Sequence, residues 1–213
     1  MRSLSNSFAL FLTLILLTFS LLSQAADWRF TVFLDDDEIG YHNFSVKPNG
    51  ATETVTIEAQ FKVKFLLVTA FQYDHSNTEI WADGCLQKIS SNTNDDGEEF
   101  WVNGELQGEQ FVVTNKQGST TLPGCVMSFA YWRADLIKQS KLLNSQTGEY
   151  LSVSIKDIGQ DNITVRGKSV TANHYIITGK GFDDIELWYS ADGYWQRLAS
   201  TTENGYRITY ELR

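Results

Sequence analysis

Residues 53–65, ETVTIEAQFKVKF, place apolar side chains at Val55, Ile57, Ala59, Phe61, Val63 and Phe65, with polar residues at every position between. Strict alternation over this length puts the whole apolar set on one face of a β-strand. At about 3.3 Å per residue such a strand spans about 43 Å, whereas a common strand has about five or six residues. Length of this kind is typical of a large curved sheet or a barrel. Its apolar row needs a cover: each side chain contributes about 1.5–3 kcal/mol when buried, so exposing the row would cost on the order of 10 kcal/mol. That is comparable with the net stability of a whole domain.

Period-two patterning recurs at residues 28–34, 41–46, 70–81, 86–93, 98–102, 110–115, 150–156, 162–167, 169–179, 184–190, 194–200 and 206–212. Turn signals separate these runs: Asp35–Gly40, Lys47-Pro48-Asn49-Gly50, Asp83-Gly84, Asp96-Gly97, Asn103-Gly104, Gly159, Gly167, Asp192-Gly193 and Asn204-Gly205. Asp-Gly and Asn-Gly between alternating runs are strong hairpin signals, and successive hairpins build an antiparallel meander. Residues 131–143 break the rhythm. Leu136, Ile137, Ser140 and Leu143 fall at helical spacing, and Asn144, Thr147 and Gly148 follow; the pattern predicts a short amphipathic helix. The expected fold is therefore mainly β: a strongly curved antiparallel sheet, a half-barrel or open barrel of about ten strands, with one short helix packed on its concave face. One short helix cannot cover so large a sheet, so the sheet must curl onto itself, meet a second sheet or enclose a cavity.

The N-terminus changes the picture. Arg2 precedes the apolar run 8–22, which is followed by Ser23-Gln24-Ala25-Ala26. A basic start, an apolar stretch and a small-residue site make a secretory signal peptide over residues 1–25. A transmembrane anchor is the rival reading, but it needs about 20 apolar residues. Residues 26–213 are then expected to form a single β-rich domain, periplasmic or secreted, with no integral membrane span after cleavage. The formal net charge of −9 repels nucleic acid and anionic membranes, so neither is an expected partner. Cys85 and Cys125 each follow a glycine, at Gly84 and Gly124. In an oxidising compartment they are candidates for a disulfide; two buried free thiols are the alternative.

Candidate chemistry is sparse. No Gly-x-Ser-x-Gly, His-Glu-x-x-His, P-loop or dinucleotide fingerprint occurs, and no cofactor or metal is expected. The three histidines, His42, His75 and His174, are far apart in the chain. Tyr73, His75, Glu79 and Trp81 share one strand face, but four residues along a strand is about 13 Å, too far for a His75–Glu79 pair. The acidic run Asp35–Glu38 lacks the spaced carboxylates of a calcium loop and reads as a solvated turn. Tyr131-Trp132-Arg133 has two readings, a cavity rim with a cation for an anionic head group or a helix start anchored by aromatics.

Several motifs carry a resemblance: Trp28-Arg29-Phe30 with Leu34 and Ile39-Gly40; Tyr73 with Glu79-Ile80-Trp81; Phe129-Ala130-Tyr131-Trp132; Leu142-Leu143-Asn144-Ser145-Gln146-Thr147-Gly148; and Leu187-Trp188-Tyr189 with Trp195. Together they resemble an uncharacterised family of exported bacterial proteins. That family is similar, more distantly, to the half-barrel of periplasmic lipoprotein carriers. The resemblance implies a curved sheet around an apolar cavity and an exported location, and implies no activity. The expected function is a non-enzymatic periplasmic binding protein for a lipid or other apolar small molecule. Candidate ligand contacts are Phe61, Phe65, Tyr73, His75, Trp81, Tyr131, Trp132 and Arg133. The alternatives are a structural or interaction protein of the cell envelope with a filled core, and a small enzyme using the cavity.

Overall fold

A computed structural model describes residues 25–65 and 68–213; apart from Ala25, the segment expected to be a signal peptide lies outside these residues. The strands are β1 (Ala26–Leu34), β2 (Asp37–Asn49), β3 (Thr52–Phe65), β4 (Val68–Ala82), β5 (Cys85–Asp95), β6 (Glu98–Gln107) and β7 (Gln110–Asn115). They continue as β8 (Gly118–Pro123), β9 (Lys141–Leu143), β10 (Tyr150–Val165), β11 (Lys168–Gly179), β12 (Ile185–Tyr189), β13 (Trp195–Thr201) and β14 (Arg207–Leu212). All fourteen pair into one sheet in the order β8-β7-β6-β5-β4-β3-β2-β1-β14-β13-β12-β11-β10-β9. Two antiparallel meanders therefore run outward from a seam formed by the first and last strands, where Phe30 faces Leu212 and Val32 faces Tyr210.

The hairpins follow from turn chemistry. Asp83-Gly84, Asp96-Gly97 and Arg166-Gly167 all have positive φ at both residues, the conformation whose twist matches the flanking strands. The acidic run opens β2: Asp35 and Asp36 make the turn, and the Asp35 carboxylate accepts a 2.9 Å hydrogen bond from the Arg207 backbone N–H. Two predicted turns are instead strand interior. Gly104 lies within β6, where a Cβ would sit 2.6 Å from the Phe111 ring; its missing side chain makes room for the core. Gly159 marks a bulge within β10, so the runs predicted at 150–156 and 162–167 fall in one continuous strand, which ends at Val165. With β8 and β9 also formed, the described residues make fourteen strands rather than about ten.

The predicted amphipathic helix over 131–143 does not form. The segment between β8 and β9 is an irregular connector with a single 3₁₀ turn, Ala134–Lys138, whose N-terminal flank Arg133 gives no side-chain cap. Tertiary contacts override the helical spacing. Leu142 and Leu143 pair with Leu151 and Tyr150 of β10, and Val126, Met127, Ala130, Trp132, Leu136, Leu142 and Leu143 are all buried. Buried residues recur more densely than a helical stripe allows, because the connector is surrounded on both sides.

That surrounding establishes the curvature. The β5 backbone N–H of Leu86 donates to Val126 O at 3.0 Å, and the β12 side chain of Tyr189 donates to Tyr131 O at 2.8 Å. β5 and β12 are seven places apart in the sheet order. In a flat sheet that is about 34 Å at ~4.8 Å per strand, so the sheet must wrap around the connector to touch it from both sides. The connector is also fixed covalently: Cys85 at the start of β5 is bonded to Cys125, with Cα atoms 4.9 Å apart. The main core is the concave face plus this connector, and a small second cluster of Ile163, Ala172, Trp188 and Ala199 covers part of the convex face.

Candidate functional site

Cross-strand register assembles the site. Gly40, Phe61 and Tyr73 form one row across β2, β3 and β4; His42, Ala59, His75 and Thr93 form the next, and Phe44, Ile57, Asn77 and Ser91 a third. Residues in one row share a face, and this face turns into the concavity. At the first row the backbones come close: a Cβ on Gly40 would lie 1.9 Å from Gln60 O, so only glycine fits.

These rows line a cavity of ≈ 220 Å³, open to solvent on one side. Its walls are His42, Phe44, Ile57, Phe61, Tyr73 and His75 from the sheet's first half, and Ile185 and Tyr210 from the second. The connector adds Phe129 and Tyr131, Phe182 stands before β12, and the turn 144–146 closes the mouth. Aromatic contacts hold the walls: Phe61 stacks on Tyr73 with centroids 5.2 Å apart, His42 stacks on Phe44 at 4.4 Å, and Phe129 meets Phe182 edge-on at 5.3 Å. The mouth turn is fixed by Asn144, whose Oδ1 accepts from the backbone N–H of Gln146 at 2.8 Å and of Thr147 at 3.2 Å. The Tyr73 hydroxyl then donates to Gln146 Oε1 at 3.1 Å, and Gln146 Nε2 donates to Asp95 at 3.0 Å.

Two of the three histidines converge here. His75 Nδ1 lies 2.7 Å from Thr93 Oγ1, while both ring nitrogens of His42 are buried without a hydrogen-bond partner among the described residues. Burial depresses the His42 pKa to about 3, with repulsion from His75 adding to it, and burial depresses His75 to about 4. Both imidazoles are neutral at pH 7. Burial also raises the phenols of Tyr73, Tyr131 and Tyr210, which keeps them protonated. The site thus offers neutral aromatic surface with neutral donors and acceptors.

The inward face of β4 is polar where that of β3 is apolar, and its buried groups grip the connector and the mouth turn. Glu79, buried, accepts from Asn77 Nδ2 at 3.0 Å and Trp81 Nε1 at 2.8 Å, with a further hydrogen bond from Ser128. Desolvation raises its carboxyl pKa against these donors. Ser91 donates to Ser145 O at 2.5 Å. His75 and Glu79 each satisfy themselves separately, and no bond joins them. Among the described residues, no group of three or more His, Cys, Asp or Glu side chains is placed to hold a metal ion.

Of the sequence-predicted contacts, Phe61, Tyr73, His75 and Tyr131 line the cavity. Trp81, Trp132 and Arg133 form a different cluster. Trp81 and Trp132 meet edge-on at 5.8 Å, and the Arg133 guanidinium lies 5.3 Å and 5.2 Å from their ring centroids. Arg133 also bonds both oxygens of Asp135 at 3.0 Å and reaches Glu53 at 3.4 Å. Its charge is engaged in fastening the connector, so it is not a rim cation. The side chain of Phe65 lies outside the described residues. Replacing Arg133 by Lys keeps the charge but loses the planar fork and the ring contacts. The expected result is a loss of about 1–2 kcal/mol in denaturant unfolding, with the cavity unaltered. The sequence reading missed His42, Phe44, Ile57, Phe129, Asn144, Ser145, Gln146, Phe182, Ile185 and Tyr210. For His42 and Phe44 the alternation of β2 held the signal, and Gln146 sits in the Leu-Leu-Asn-x-Gln-Thr-Gly element. Nothing in the sequence around Phe182 points to the site.

Fold and site together define an open, barrel-like β-sheet protein with an aromatic cavity on its concave side. The family described as domain of unknown function (DUF6134) matches residues 30–213, and the chain belongs to that family. Among solved structures, the chain is similar to a beta-barrel-like protein of domain of unknown function DUF1849 from Brucella abortus. The TM-score is 0.65 at 12% identity, covering 89% of this chain and 95% of that one. A comparison with curated proteins finds no match. The expectations of an uncharacterised family and of a barrel-like sheet are both met.

Proposed function

We propose that the protein is an exported binding module that holds a small, mainly apolar ligand in the concave cavity without catalysing a reaction. The observation that carries this reading is the cavity of ≈ 220 Å³, walled chiefly by aromatic rings and opening to solvent at one side. A cavity of ~150 Å³ holds benzene, and sites for drug-sized ligands begin near 300 Å³. This one suits a body of roughly ten non-hydrogen atoms, and a longer acyl chain would extend through the mouth. The N-terminal signal pattern and the Cys85–Cys125 bond support an oxidising, extracytoplasmic compartment.

The test is native mass spectrometry of the protein as purified, before and after delipidation, followed by calorimetric titration with a short apolar probe. A ligand mass that delipidation removes is expected. Replacing Ile185, a half-buried wall residue, by Trp fills the cavity and is expected to weaken probe binding at least tenfold with little change in melting temperature. Absence of both a bound mass and any probe binding would leave the second reading, a structural or interaction module of the envelope. One observation favours that alternative: the connector already fills much of the concavity with its own buried side chains.

A further inference from the structure

Resting on the binding reading above, we infer that the cavity selects an uncharged ligand: a short alcohol, phenol or amide rather than a carboxylate or an ammonium of the same size. Of the described residues that line it, none is Asp, Glu, Lys or Arg. The titratable walls are the imidazoles of His42 and His75 and the phenols of Tyr73, Tyr131 and Tyr210. Burial holds the imidazoles neutral, with values of about 3 and about 4, and the phenols protonated.

Two charged side chains close to lining residues, Asp95 and Arg133, are already committed. Asp95 accepts from Gln146 at the mouth. Arg133 is paired with Asp135 and Glu53 and flanked by two indoles. A carboxylate entering the cavity would lose its hydration and meet no counter-charge, a cost of several kcal/mol in a low-dielectric site. An ammonium group would meet ring faces and phenols but no carboxylate. A hydroxyl or amide head loses less hydration and finds neutral partners. His42 adds to this: a neutral imidazole carries one N–H donor and one bare acceptor nitrogen, and both are buried and find no partner among the described residues. A buried polar group without a partner is costly, and a head group that donates and accepts is its complement. The same geometry argues against a free fatty acid with its head inside, which a carrier reading alone would allow.

The experiment is calorimetric titration of the delipidated protein at pH 7.5 with 1-octanol, octanoate and octylammonium, which share one apolar body and differ in charge. Octanol is expected to bind at least tenfold more tightly than either ion, and Ile185→Trp to abolish its heat. Octanoate or octylammonium binding as tightly as octanol would overturn the neutral-ligand inference and leave the binding reading standing. Octanol heat that persists unchanged in Ile185→Trp would place the alcohol outside the cavity and overturn the inference. No heat from any of the three would overturn both.

Discussion

Removing the Cys85–Cys125 bond, by serine at both positions or by reduction, is expected to lower stability by about 4 kcal/mol. The bond closes a loop of 40 residues in sequence separation, and the chain-entropy relation for a loop of that length gives about 4 kcal/mol. For a domain of this size that corresponds to a melting temperature lower by about 8–16 °C. The position of the bond makes the loss more than entropic. Val126, Met127 and Ser128 follow Cys125 directly and are buried, and the Leu86–Val126 hydrogen bond lies beside the bridge. Without the tether, the connector is held near this end by the Leu86–Val126 bond, the Ser128–Glu79 hydrogen bond and the Arg133 contacts. Scanning calorimetry with and without reductant measures the effect. A shift of under 3 °C would show that the connector is held by packing alone.

Acidification is expected to remove a stabilising contribution of similar size from two buried histidines. His42 and His75 have folded-state pKa values of about 3 and about 4 against an unfolded value of 6.5. A base whose folded pKa is depressed binds its proton in the unfolded chain first. Its contribution is intact above pH 6.5 and is lost as pH falls from 6.5 toward the folded value. Between pH 7 and pH 5 each histidine is expected to cost on the order of 2 kcal/mol, about 4 kcal/mol together. Glu79 has the opposite sign: its carboxyl pKa is raised by burial, so its ionisation costs stability as pH rises through the carboxylate range, and acid relieves that cost. The observed acid limb is therefore the histidine loss less the Glu79 gain, and comparison of variants isolates the histidine part. Urea unfolding at pH 7, 6 and 5 measures it, and His42→Phe is expected to remove about half of that part. An unchanged slope in that variant would show that His42 is hydrated in the folded protein.

Both losses trace to one architecture. The connector occupies the hollow of the sheet, the disulfide secures one end, and the cavity is the part of the hollow that the connector leaves uncovered. Stability and binding are consequently linked through residues 126–146. Phe129, Tyr131 and Gln146 line the cavity, while Met127, Trp132 and Leu143 close the core.

Much of this was legible from residue order, for reasons that are local. Alternation at 53–65 defines a strand because side chains on a pleated backbone point to opposite faces in turn. Asp83-Gly84 and Asp96-Gly97 define hairpins because both residues must reach positive φ. The inward row Tyr73, His75, Glu79 and Trp81 could likewise be read from period two, and so could Phe61. What could not be read depends on contacts between distant segments. Residues 131–143 carry helical spacing, yet they become a connector because the sheet surrounds them and β10 pairs with Leu142 and Leu143. Gly104 and Gly159 look like turns, yet one makes space for Phe111 and the other bulges a strand. Tyr131 and Arg133 are near neighbours with different fates, one on the cavity wall and one between two indoles with its charge paired. Phe182 and Tyr210 join His42 and His75 only because β1 and β14 form a seam that brings the two ends of the chain together. The alternation of a strand is a property of its own backbone, whereas the register and curvature that bring separate strands to one cavity are properties of the closed set of contacts.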